Sequence, residues 1–143
     1  MSFAIDANIL IYASNEGSPA ATNAKAFLME CVGGTEMVYI PCPAAMAYLR
    51  IVTHPRVFKR PLPPEIALAN LDALLSVPHV RLLSEEQDFF ACYQEVTRTA
   101  PARGNLVPDT HIAVILLQHR VKVLYTNDVD FRRFPFLEIR NPM

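Results

Sequence analysis

The chain has 143 residues, 52% hydrophobic and 19% charged, which fits one folded domain spanning residues 1–143 and excludes a disordered chain. Its 13 basic and 14 acidic side chains leave a net charge of −1, so bulk attraction to a polyanion is excluded and any nucleic-acid partner must be met by a local patch. Cys31, Cys42 and Cys92 form no CxxC spacing, which excludes a disulfide framework or zinc knuckle and fits the reducing cytoplasm.

Phe3 to Ile5 is a short apolar run ending at Asp6, and Ala7 to Ala13 carries Ile9, Leu10 and Tyr12 in a helical pattern. The N-terminal MSFAID has no basic segment ahead of an apolar one, so it reads as a first strand and not a signal peptide. Ser18-Pro19 is an N-cap and first helical residue, opening a helix whose Ala24, Phe27, Leu28 and Cys31 share a face and which ends at Gly33-Gly34. Met37 to Ile40 reads as a second strand. Pro43 then opens a helix with Met46, Leu49, Arg50 and Thr53 at spacings of three and four, closed by His54-Pro55. Met37 to Leu49 is the longest stretch without a charge, contains two prolines, and is far shorter than the ~20 residues of a membrane helix, so no membrane association is expected.

Pro55 to Pro64 holds four prolines with Arg56, Lys59 and Arg60, an exposed basic loop. Glu65 to Leu75 is helical, burying Ala67, Leu71, Leu74 and Leu75, and Val80 to Leu83 is a short strand. Ser84 with Gln87 has the form of a capping box ahead of Phe89, Phe90, Tyr93 and Val96, a stripe read as core or dimer surface. A polar loop from Thr97 leads to Pro108, placed as the first residue of a helix to about His119 with Asp109 in its first turn. Val121 to Tyr125 is a β-favouring run ending at Thr126-Asn127-Asp128, and Leu137 to Ile139 adds an edge strand. Strands alternating with helices predict right-handed βαβ units, hence a three-layer α/β/α sandwich around a mainly parallel sheet. Its ligands belong beyond the carboxyl ends of the strands, where the strand order reverses.

Asp6, Asp128 and Asp130 follow strands, and Asp109 opens the helix feeding the Val121 strand, so all four acids are expected on one rim. Singly, each has a structural explanation as a helix cap, a dipole partner or an Asx-turn. Together they do not: two carboxylates ~5 Å apart repel by roughly 3 kcal/mol at an effective dielectric of ~20, so three mutual pairs approach 10 kcal/mol, which rivals the ~5–15 kcal/mol of net stability in a domain. Either the acids protonate or a cation holds them. Oxygen ligands without histidine or cysteine favour Mg²⁺ or Mn²⁺, and an ion so held serves phosphodiester hydrolysis.

The segments FAIDANILIYA, LRIVTHPRVFKRPL, RGNLVPDTHIAVILLQH and VLYTNDVDFRRFPFLEIRNP resemble the PIN-domain ribonucleases, and within them the VapC-type toxins of type II toxin-antitoxin pairs. The resemblance implies an α/β/α fold and a Mg²⁺- or Mn²⁺-dependent endoribonuclease. It places Asp6, Asp109 and Asp128 at the family's metal-binding catalytic acids, with Asp130 as an adjacent fourth ligand and Asn8 and Thr126 as polar support. It implies a homodimer and a VapB-type antitoxin covering the acidic rim. Such toxins usually carry a glutamate three residues before the arginine matched here by Arg50. That position is Ala47, and no acid lies between Met37 and Pro64, so a binding module with weakened nuclease activity is the alternative reading. Arg50 is the candidate RNA-binding residue, and the basic loop adds local attraction for phosphates. His111 is assigned a structural role. A signalling receiver needs paired acids after the first strand and a lysine after a late one, which this chain lacks. An aspartyl phosphatase would carry its DVDF-like motif after the first strand and not near the end.

Overall fold

A computed structural model describes residues 1–143. The strands β1 (Ser2–Ile5), β2 (Met37–Pro41), β3 (Val80–Leu83), β4 (Val123–Tyr125) and β5 (Glu138–Arg140) form one sheet in the order β3-β2-β1-β4-β5. Every neighbouring pair is parallel, with Ala4 opposite both Tyr39 and Leu124. Parallel neighbours need crossover connections. From β1 to β4 these are supplied by α1 (Ala7–Ser14), α2 (Pro19–Gly33), α3 (Cys42–Val52), α4 (Pro64–Leu75), α5 (Phe89–Thr99) and α6 (Leu106–Gln118), and between β4 and β5 by a short 3₁₀ segment. The result is the expected α/β/α sandwich.

β1 is central because both its faces can be buried: Ala4 and Ile5 are wholly inaccessible to solvent. From β1 the chain proceeds outward through β2 to β3, then returns past β1 to build β4 and β5 on its other side. The order therefore reverses between β1 and β4, the place where parallel sheets open a crevice at their carboxyl ends. α6 covers this region with an unbroken buried run from Ile112 to Leu116. A short 3₁₀ helix, Val129–Arg133, follows β4 and anchors itself through Phe131, buried like Phe134 just beyond it.

Several expected features moved. The capping box at Ser84 does not form: α5 starts at Phe89 behind Asp88, whose left-handed φ of 66° leaves no side-chain cap. Gln118 on α6 holds the preceding segment instead, accepting from the Glu86 N–H at 2.9 Å and donating to the Gln87 carbonyl at 3.1 Å. α3 packs through Ala44, Ala45, Tyr48 and Val52, leaving Met46 exposed, because its small residues permit close approach to α1. α6 begins at Leu106, two residues ahead of Pro108, which its first turn tolerates because no N–H is needed there. The stripe on α5 is split, with Val96 buried and Phe90 79% exposed.

Candidate metal centre

Asp6 ends β1 at the switch point. It is both an N-cap and a buried site acid: its Oδ1 accepts the Ala7 N–H at 2.7 Å, while Oδ2 accepts the Thr126 hydroxyl at 2.9 Å and the Asn8 amide at 3.3 Å. The Thr126 Oγ1 in turn accepts from Asn8 Nδ2 at 2.9 Å and from the Asp128 N–H at 3.0 Å. One buried hydroxyl thus joins the ends of β1 and β4. Burial raises the Asp6 pKa, the Thr126 and Ala7 bonds oppose the rise, and Asp128 adds to it.

Asp128 caps the 3₁₀ helix by accepting the Asp130 N–H at 2.9 Å, which turns both carboxylates toward the first turn of α6. Carboxylate oxygens of Asp109, Asp128 and Asp130 lie within 4.8 Å of one another. The Asp109 carboxyl is pushed up to about 6, chiefly by desolvation, then by the charges of Asp128, Asp6 and Asp130, with Arg133 opposing. Asp130 is exposed and Asp128 half-buried, so solvent relieves much of the repulsion expected of four acids and Asp109 bears the strain.

The donors fit a hard divalent ion. All are oxygens, and an octahedral ion with ~2.1 Å bonds spaces its ligand atoms by ~3–4.2 Å, which three partly exposed side chains can reach from their present spread. Beside them the Asn8 Oδ1 is buried with no hydrogen-bond partner, an unsatisfied oxygen next to the Asp6 carboxylate. Asp6 stands outside the tight trio because both its oxygens are engaged, and it is coupled to the others through Thr126 and through its field. α3 brings no acid, since Ala47 stands where a glutamate was sought.

Arg50 lies exposed in the last turn of α3. His111 pairs with Glu85 at 2.6 Å and stacks edge-on with Phe89, the structural role expected of it. Two contributors escaped the sequence reading. Asn127 donates to the Tyr12 hydroxyl at 2.9 Å, tying the loop after β4 to α1. Arg133 shares a shallow depression with Asp130, Leu106 and Val129. A signal existed, because residues three apart in a 3₁₀ helix eclipse and Asp130 and Arg133 have that spacing.

The fold is thus a parallel sheet with an acidic trio beside its switch point, and the PIN-domain sequence profile matches residues 3–137. The chain belongs to the PIN-domain family. Within that family it falls among the VapC proteins: Ribonuclease VapC48 of Mycobacterium tuberculosis (strain ATCC 25618 / H37Rv) is 37% identical over 142 residues, covering 99% of this chain and 98% of the relative. Ribonuclease VapC33 of the same strain is 29% identical, with 96% of each chain covered. Among solved structures, VapBC2 from Rickettsia felis bound to a promoter DNA fragment superposes with a TM-score of 0.68 at 20% identity, covering 99% of this chain and 98% of that one. Mycobacterium tuberculosis VapC20, a Sarcin-Ricin loop cleaving toxin, superposes at 0.67 with 15% identity, covering 96% and 98%. These similarities at low identity speak for the fold. No helix is long and apolar enough to cross a membrane.

Proposed function

We propose that this chain, acting as one domain over residues 1–143, is a metal-dependent endoribonuclease and the toxin of a toxin-antitoxin pair, working in the cytoplasm. The observation that carries the reading is the oxygen-only cluster of Asp109, Asp128 and Asp130 beside buried Asp6, in a chain whose relative of 37% identity is a ribonuclease. Asp6, Asp109 and Asp128 are assigned as the catalytic acids, and the same three with Asp130 as the ligands of Mg²⁺ or Mn²⁺. The ion, when bound, supplies a water of lowered pKa and a counter-charge for the phosphodiester.

The remaining work belongs to the side chains. Thr126 and the Ala7 N–H fix the Asp6 carboxylate, so the inner wall of the site needs little reorganisation when RNA arrives. Asp130, exposed at the mouth, would complete the ligand set, while the proton released as water adds to phosphorus passes through solvent to the leaving ester oxygen as its P–O bond breaks. Arg50 and the loop carrying Arg56, Lys59 and Arg60 draw in RNA by charge. A VapB-type antitoxin is the proposed partner, in keeping with the VapBC and FitAB complexes among the structural neighbours. A homodimer is proposed on the exposed Phe90 surface.

Incubation of purified protein with total RNA, in Mg²⁺ or Mn²⁺ and in EDTA, tests the reading. Metal-dependent products that vanish in Asp6→Ala and Asp109→Ala are expected, and full cleavage by both variants overturns it. Ala47, with no other acid on α3, favours a second reading, an antitoxin-binding module of weakened activity. Absence of any metal-dependent product, with antitoxin binding retained, selects that reading.

A further inference from the structure

Arg132 and Arg133 are adjacent in sequence and unlike in setting, the first exposed and the second half-buried. The Arg133 guanidinium donates through Nη2 to the Pro101 carbonyl and lies 5.8 Å from the Phe134 ring centroid. Pro101 is in the loop joining α5 to α6, and Phe134 is buried, so the side chain is braced from two directions. It lines one depression with Asp130, Leu106 and Val129. Although it stands among acids, it takes part in none of the structure's ion pairs. An arginine carries five N–H donors in a planar fork, and one carbonyl occupies only part of it. A fixed, unneutralised cation therefore stands at the edge of an acidic cluster that by itself would repel a polyanion. The wall beyond it is apolar, with Val129 64% exposed.

We infer that Arg133 grips a phosphate of the RNA strand beside the acidic cluster, while Val129 and Leu106 receive the adjoining base or ribose. This rests on the ribonuclease reading. Bracing makes the contact directional: the fork meets two phosphate oxygens without first losing side-chain freedom, which a lysine at the same place cannot reproduce. Arg133 thereby complements Arg50 and the basic loop, whose long side chains attract RNA without fixing its register.

The test is fluorescence anisotropy of a labelled single-stranded RNA dodecamer, titrated with protein in Ca²⁺ at several salt concentrations, alongside cleavage in Mg²⁺. Arg133→Ala should weaken binding about tenfold and reduce the slope of log K against log salt by about 0.7, the amount for one lost single-strand phosphate contact. Arg133→Lys should keep the slope and still bind several-fold more weakly. Arg132→Ala, the neighbouring charge, should stay within about twofold of the parent protein. Thermal unfolding of each variant separates lost RNA contact from lost bracing of Pro101, and Arg133→Lys retains a folded reference should the alanine variant prove unstable. Unchanged affinity and slope for Arg133→Ala, with the parent protein binding and cleaving RNA, overturns the inference alone. Failure of the parent protein to bind or cleave RNA overturns the ribonuclease reading and the inference with it.

Discussion

Asp109→Asn is expected to stabilise the metal-free protein. In the fold the carboxyl is pushed from 3.8 up to about 6, so the native state holds its proton more tightly than the unfolded chain does. Stability is therefore lost as pH rises from about 4 and the loss is complete above about pH 6. Roughly two pKa units correspond to about 3 kcal/mol, and since Asp109 is only half-buried, solvent screening reduces this to about 1.5 kcal/mol. The asparagine keeps the shape and removes the charge. In EDTA at pH 7.5 its melting temperature should exceed that of the parent protein by about 4–5 °C, and at about pH 3.5, below the unfolded pKa, the two should nearly coincide. Added Mg²⁺ should reverse the order, because an ion at 100 times its Kd contributes about 2.7 kcal/mol and the variant has lost a ligand. Thermal unfolding followed by circular dichroism at both pH values, with EDTA or Mg²⁺, reads all four conditions. An Asp109→Asn protein no more stable than its parent in EDTA at pH 7.5 would refute the claim that this site is held together against its own charge.

Three further outcomes follow from the same contacts. Thr126→Val leaves the Asp6 carboxylate without one donor and the Asp128 N–H without its acceptor, and leaves the Asn8 amide only its longer bond to Asp6, and should cost about 2–3 kcal/mol in urea unfolding, whereas Thr126→Ser should cost under about 1 kcal/mol. Phe131→Ala empties a fully buried site under the acidic turn and should cost about 3–5 kcal/mol in the same measurement, with cleavage falling in proportion to the folded fraction. Cleavage at low Mg²⁺ should rise between about pH 5 and 7 as Asp109 ionises, and its midpoint should move to lower pH as Mg²⁺ is raised, since ion and proton compete for one carboxylate. A midpoint indifferent to Mg²⁺ in a pH–rate series would count against Asp109 as a ligand.

The alternation of β-favouring runs with helical patterns was sufficient to derive a parallel α/β/α fold, because each element carries its own periodicity and its own start and stop residues, such as Ser18-Pro19 and Gly34. Local sequence also marked Asp6, Asp109, Asp128 and Asp130, since an acid at the end of a strand or in the first turn of a helix is visible without knowing what lies opposite. Only the tertiary structure decided how they differ. Asp6 became the buried, fully bonded member through the Thr126 hydroxyl, 120 positions away in the chain, and Asp109 became the strained one because desolvation and three distant charges meet there. The same holds for Arg133, whose bracing by Pro101 and Phe134 distinguishes it from the identical residue beside it, and for the failed cap at Ser84, displaced by Gln118 from another helix. Propensity and capping act over a few residues and can be read along the chain. Burial, field and hydrogen-bond competition depend on which remote atoms share a pocket, and folding alone brings those together.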